Sequence, residues 1–428
     1  MLTRDRSTVG STEVVTKPPE VPGKYEIIPI HSSDIASFKR CRRYWDWTSP
    51  TRTNLRRNVR IYGITFPLVF GSAIHYALEK FYDPILSHDP VESFLTYWTY
   101  QWEGGIVTED WLDRVYDIHP RYANETDSHD AMIGPKQWTV KGLRDLLPAP
   151  EQIEDEWQDH RELGIGMMEF YKDYAARKDD FVVLAAESTD SIPLDFEWKD
   201  QREESPNYGK SLEVHARGKR DAVVWWPDID KCGIYEDKTA ARIDEAYFAK
   251  LTKDEQCSNY LWATIQEGAI YDLPWKDKVV DRVVYNAMRK NFPRSPTITQ
   301  HGFPSINRAE GGTTAELFQA VIVGRENFEH WFRTNEKAQQ YYTFLVEQGD
   351  SLFVQRDIVT RNKHEIAATG RHLKMIALEM LDSPNVYPNP TGEFRCLTCA
   401  FRQPCIAADD GSDWQGIISD GYEQNRDR

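Results

Sequence analysis

Cysteine is scarce in this chain: six residues, Cys41, Cys232, Cys257, Cys396, Cys399 and Cys405, among 428. That scarcity excludes the dense disulfide framework of a small secreted domain and turns attention to metal or redox chemistry. Long apolar runs are missing too. No segment approaches the roughly 20 residues of a membrane-spanning helix, and Met1 to Gly10 is polar, without the apolar stretch of a secretory leader. A cytoplasmic location is expected. No internal repeat is visible. Positive charge is short overall, and a net charge of −16 argues against a protein coated in nucleic acid. What is present, 40% hydrophobic and 12% aromatic residues, supports a globular fold. Its length allows two or three domains, or one core with large insertions.

The distribution of charge says more than the total. Lys39, Arg40, Arg42, Arg43, Arg52, Arg56, Arg57 and Arg60 face one acid, Asp46, with Tyr44, Trp45, Trp47 and Tyr62 among or beside them. Arginines interleaved with aromatics suit single-stranded nucleic acid, guanidinium groups meeting phosphates and rings stacking on bases. A solvated basic helix with its aromatics turned into the core fits the same pattern.

Residues 1–24 are rich in Ser, Thr, Pro and charge and read as a disordered tail. Ser32 and Ser33 are expected to cap a helix beginning near Asp34. Gly71 is expected to open a second helix, with Ile74, Ala77, Leu78 and Phe81 on one stripe. Residues 90–178 read as mostly helical around a loop at 119–136. Strands are expected at 181–186, 191–198, 281–288 and 352–360, and helices at 243–267 and 364–382. An insertion spans about 295–345, and an acidic tail begins at Asp409. Helix, strand, hairpin, helix and strand in this order point to a single α/β core, residues 25–408, with helical insertions at about 90–180 and 295–345.

Within that order, GKRDAVVWWPDIDKCGIYEDK (218–238) is a hairpin: two runs of β-formers around turn residues. Folding it about positions 228 and 229 sets Asp221 opposite Glu236, close enough to share an ion. Lys238 lies two residues on, on the face of Glu236. Two acids and a lysine converging at a sheet end make a hydrolytic metal site; a surface hairpin with a cross-strand salt bridge fits equally. His75 at the edge of its helical stripe is either a hydrogen-bonded core residue or a third ligand. Asp221, Glu236 and His75 together form a shell suited to Mg²⁺ or Mn²⁺, with Lys238 orienting or deprotonating water or stabilising charge on a phosphate. Gln256 and Tyr260, spaced i and i+4, share one helical face.

Cys396, Cys399 and Cys405 form C-x₂-C-x₅-C in a short loop, a spacing that points to metal. Cys41 is the best fourth ligand, because Cys232 lies on a hairpin strand and Cys257 beside Gln256. Four thiolates hold Zn²⁺ or a [4Fe–4S] cluster, and their number does not separate the two.

Taken together, SSDIASFKRCRRYW (32–45), GSAIHYAL (71–78), GKRD (218–221), EDK (236–238), QCSNY (256–260) and the terminal cysteines resemble the PD-(D/E)XK nuclease superfamily. The likeness is to its RecB-type exonuclease branch, with the AddB nuclease domains and the four-cysteine CRISPR-associated nucleases. The resemblance implies a restriction-endonuclease-like core, a mixed central sheet flanked by helices. It also implies that His75, Asp221 and Glu236 bind Mg²⁺ or Mn²⁺, that Lys238 is catalytic and that Gln256 and Tyr260 assist. Cys41, Cys396, Cys399 and Cys405 would hold a structural [4Fe–4S] cluster, and the substrate would be DNA ends in recombination, repair or replication, with Arg40, Arg42, Arg43, Arg56 and Arg57 as DNA contacts. Glu187 stands where relatives carry a further acid. No G-x-x-x-x-G-K-[ST] loop is present, so a stand-alone nuclease without a motor is expected, of a kind frequent in bacteriophage genomes. The rival expectation is a non-catalytic nucleic-acid-binding or assembly protein on the same scaffold.

Overall fold

The computed structural model describes residues 27–57, 66–101, 150–201, 203, 207–309, 311–382, 386–392 and 394–425. The expected tail at 1–24, the loop at 119–136, Arg60 and Tyr62 lie outside the described residues.

The described residues begin with β1 (Ile27–His31), α1 (Ser32–Arg40), α2 (Arg42–Thr48), β2 (Leu55–Arg57), α3 (Phe66–Phe81) and α4 (Pro90–Gln101). The long helix α5 (Pro150–Lys178) leads into the sheet strands β3 (Val182–Lys199), β4 (Ser211–Trp226) and β5 (Lys231–Ala240). Next come α6 (Glu245–Leu251), α7 (Glu255–Tyr271) and β6 (Val279–Arg289), then α8 (Ala315–Ile322), α9 (Glu326–Thr334) and α10 (Glu336–Gln348). β7 (Val354–Thr360) and α11 (Lys363–Asp382) close the core. α12 (Phe394–Leu397), α13 (Arg402–Asp410), α14 (Trp414–Gly421) and β8 (Tyr422–Gln424) follow.

Among the described residues six strands form one mixed sheet in the order β1-β4-β5-β6-β7, with β3 along the other edge of β4. The β1–β4 and β5–β6 pairs are parallel, and β3–β4, β4–β5 and β6–β7 are antiparallel. Alternation sorts the strand residues to two sides. Ala222, Val224, Tyr235 and Val284 pack with Phe70, Ile74 and Tyr171 of α3 and α5, while Val223, Ile234 and Val283 pack with Cys257 and Leu261 of α7. A mixed sheet covered by helices on both faces is the expected architecture.

Several boundaries depart from the sequence expectation, each for a local reason. The α1 helix starts at Ser32, and the Asp34 carboxylate caps it by accepting the His31 N–H at 3.2 Å. Gly71 lies inside α3, which begins at Phe66 because the apolar run FPLVF continues the stripe and Pro67 sits in the first turn, where its missing N–H costs nothing. The expected helix at 243–267 is two helices, each started by its own N-cap, Asp244 accepting from Tyr247 N–H and Asp254 from Gln256 N–H. The two strands expected before the hairpin are one, β3, which passes through Glu187 at φ +46°. In the insertion at 295–345, Phe318, Phe328 and Tyr341 of α8–α10 bury in the cluster that holds Phe70 and Tyr171, so this segment completes the core. The expected acidic tail from Asp409 is folded: β8 pairs with β2, and Trp47, Leu55, Phe401 and Tyr422 bury together against Trp414, Ile417 and Ile418. Apolar residues at helical spacing in WQGII outweigh the surrounding acids.

Candidate active site and the cysteine cavity

The hairpin turns through Pro227–Ile229, with Asp230 in the left-handed region at φ +47°. Its register is the expected one, from Trp226 opposite Lys231 to Ala222 opposite Tyr235. There the ladder stops, one pair short of Asp221 and Glu236. On the same edge of β4, β1 pairs only as far as Arg217. Residues 218–221 therefore face a fork, with β1 ending below and β5 leaving above. Across it, Asp221 Oδ2 accepts the Asp237 backbone N–H at 2.8 Å. The alternation of β4 slips once here. Arg220 reaches Thr264 and Glu267 of α7, and Val223, three residues on, packs on the same side. Asp221 meets His75 of α3 instead. A local irregularity of this kind re-aims one side chain beside a site.

Four of the expected residues meet at the fork. His75 Nδ1 lies 3.4 Å from Asp221 Oδ1, and Lys238 Nζ lies 2.5 Å from Glu236 Oε1. Burial works against the charge on Asp221, but the His75 bond, the His75 and Lys238 charges and the Asp237 N–H hold its pKa below the usual carboxylate range. Glu236 is 3% exposed. Burial first, then the Asp221 charge, push it up to about 8, with Lys238 and His75 pulling the other way. Burial opposes protonation of His75 and Lys238, yet Asp221 raises the first and Glu236 the second. Two neighbouring carboxylates thus differ in proton affinity because donors outweigh burial at Asp221 and burial outweighs the Lys238 donor at Glu236.

Sequence reasoning passed over Asp237, the middle residue of EDK. Its carboxylate points to the α5 side, where Asn286 Nδ2 donates to Oδ1 at 2.6 Å. Asn286 also donates to Tyr171 Oη at 2.8 Å and accepts from Arg356 Nε at 3.1 Å. Arg356 Nη2 meets Asp179 at 2.6 Å, and Tyr82 Oη, Tyr171 Oη and Tyr235 Oη continue the chain. The signal available in the sequence was a lone Asn in the apolar strand VVYNAM.

Gln256 and Tyr260 share a face as expected, Gln256 Nε2 lying 2.6 Å from Tyr260 Oη. The Tyr260 ring lies over Gly218, where an added Cβ would come within 3.3 Å of Tyr260 Cε1 and of Asp190 Oδ2. Asp190 Oδ1 accepts the Gly218 N–H at 2.7 Å. Burial is the main cause lifting the Asp190 pKa to about 6. The Glu187 carboxylate pairs with Lys219.

A family model of the PD-(D/E)XK nuclease superfamily matches residues 32–406. The chain belongs to the PD-(D/E)XK nuclease superfamily. No curated protein sequence matches it. The family implies a divalent cation, and the acids of this nuclease fit one chemically. Glu236 Oε2 is buried with no hydrogen-bond partner, beside Asp221 and a histidine, a donor set for Mg²⁺ or Mn²⁺. Among the described residues no three His, Cys, Asp or Glu side chains already stand at metal-holding geometry. Lys238 occupies one Glu236 oxygen and the Asp237 N–H one Asp221 oxygen.

At the other end of the nuclease, Cys41, Cys396, Cys399 and Cys405 line a single cavity of about 290 Å³. Arg43 Nη1 lies 3.2 Å from Cys405 Sγ. Here the arginines expected on DNA take protein partners. Arg43 pairs with Asp409 at 2.7 Å, Arg42 with Glu379 and Arg56 with Glu423 at 2.8 Å. Arg57 donates to the Ala400 carbonyl at 3.1 Å, and Arg40 stacks on Tyr44 at 4.4 Å. The basic segment ties both ends of the chain together. No described helix is long and apolar enough to cross a membrane.

Proposed function

We propose that the protein is a Mg²⁺- or Mn²⁺-dependent deoxyribonuclease that degrades DNA from its ends, in recombination, repair or replication. The observation that carries this reading is the meeting of His75, Asp221, Glu236 and Lys238 at the fork between β4 and β5.

His75, Asp221 and Glu236 would hold the cation, which when bound polarises a phosphoryl oxygen and acidifies water. Glu236 would offer the cation its unpartnered Oε2 while Lys238 holds Oε1. Lys238, beside Glu236, would bring its ammonium to the phosphate. Its pKa is raised, so it suits stabilising developing negative charge better than taking the water's proton. Tyr260, against Gly218 and bonded to Gln256, bounds the site from α7. Cleavage of end-labelled linear DNA, single- and double-stranded, alongside covalently closed circles tests the preference for ends. Equal loss of circular and linear substrate contradicts it.

For the cysteines, we favour a structural [4Fe–4S] cluster: all four thiols border one cavity, which suits a shared metal, and the resemblance to iron–sulfur nucleases favours the cluster over zinc. Broad visible absorbance bleached by dithionite, with iron and sulfide, is the expected result. A colourless protein with one zinc ion replaces this reading with a tetrathiolate zinc site.

A further inference from the structure

At the fork, β5 has lost β4 as a partner. From Glu236 onward its position is set by β6, which pairs Glu236 with Tyr285, Asp237 with Asn286 and Lys238 with Ala287. Only one of these β6 residues presents a polar side chain to the Asp237 side of the sheet. Asn286 is fully buried, and its amide is used throughout: one N–H to Asp237 Oδ1, the other to Tyr171 Oη, the carbonyl to Arg356 Nε. The next strand supports it in register, since Asn286 pairs with Arg356 of β7 and Arg356 is anchored on Asp179. Four consecutive groups are therefore fixed by one another from Asp179 to Asp237.

We propose that Asn286 is a positioning residue of the nuclease site. By clamping the Asp237 side chain it fixes the Asp237 peptide, whose N–H holds Asp221 Oδ2 and thereby leaves Oδ1 toward His75. An apolar residue at 286 would fill the same space but leave the Asp237 carboxylate buried without its donor. The peptide would then be free to turn, and Asp221 with it. Partners that orient a ligand from behind in this way typically change metal affinity about 10- to 100-fold when removed.

This inference rests on the metal-dependent reading of the site, and the test separates the two. Mn²⁺ is titrated into the full-length protein and free Mn²⁺ is read by electron paramagnetic resonance, for wild type, Asp221→Ala, Asn286→Ala, Asp237→Ala and the Asn286→Ala/Asp237→Ala pair. Thermal unfolding reports on folding. Wild-type binding that Asp221→Ala abolishes supports the reading of the site; no such difference overturns it and the inference with it. Given that difference, folded Asn286→Ala is expected to bind Mn²⁺ about tenfold more weakly, or worse. Its effect should not add to that of Asp237→Ala, because both act through one peptide. An unchanged Mn²⁺ affinity, or full additivity, overturns the proposal. Should Asn286→Ala fail to fold, Asn286→Leu, which fills the space without a donor, is read in the same way: an affinity equal to wild type overturns it.

Discussion

Asp221 Oδ2 accepts the backbone N–H of Asp237 at 2.8 Å where the hairpin strands separate. The bond replaces a rung of the ladder. It turns a metal-ligand candidate inward between two strands, beside His75 and Glu236, whose pKa burial raises.

The proton balance at this point predicts a pH dependence. The folded protein retains a proton on Glu236 up to about 8 and on Asp237 up to about 7, whereas an unfolded chain releases them near 4. His75 is raised as well, so its contribution is complete below its ordinary value and is lost as pH rises through the raised one. The folded state therefore binds more protons than the unfolded state from about pH 5 to 8, and metal-free stability falls across that window. Asp221 has the opposite sign, but its depressed pKa places its loss at lower pH. Urea midpoints in chelator should decrease from pH 5.5 to 8. Added Mg²⁺ should raise the midpoint more at pH 8, where Glu236 is ionised. A midpoint that rises with pH in chelator contradicts the assigned proton affinities.

Arg220, adjacent to Asp221, is fully buried and ties β4 to α7 through Glu267 and Thr264, with Asp190 nearby. Arg220→Ala leaves Glu267 and Asp190 buried without their cation, and urea unfolding should register a loss of about 3–5 kcal/mol. A loss below about 1 kcal/mol would mean that water replaces the guanidinium.

Gly218 has no Cβ between Asp190 and Tyr260. Gly218→Ala pushes on both neighbours by a few tenths of an ångström and is expected to lower kcat while shifting the unfolding midpoint little, since overpacking by one methyl costs about 1 kcal/mol or somewhat more. Steady-state kinetics at saturating DNA checks this. Unchanged kcat would separate Tyr260 from the chemistry.

At the chain ends, Phe401 packs on Tyr44, Trp47 and Tyr422. Phe401→Ala should cost this terminal lobe about 3–5 kcal/mol. The measurable result is early proteolysis after residue 386 and faster thiol labelling of Cys396, Cys399 and Cys405, with Cys232 and Cys257 still protected in the core.

Much of the site was legible because the hairpin is a local object. Turn residues and β-formers in 218–238 fix the register, and strand alternation joins Glu236 to Lys238. The fork was not legible, because it depends on where β1 ends, nearly two hundred residues earlier in the chain. Asn286 and Arg356 were missed for the same reason: single polar residues in apolar strands gain meaning only when strand order sets them side by side. Long-range pairing also supplied partners for the arginines. The sequence left them between phosphates and a solvated basic helix, and Asp409, Glu379 and Glu423 meet three of them. The acidic end of the chain looked like a tail until β2 supplied its partner strand.

The most direct test of the account is hydrolysis of end-labelled DNA by the purified protein with Mg²⁺ or Mn²⁺, compared with Asp221→Ala and Lys238→Ala. The account predicts metal-dependent release of nucleotides by the wild type, abolished by chelator and reduced at least about 100-fold in each variant at unchanged fold. Activity that survives both substitutions together would show that the chemistry lies elsewhere.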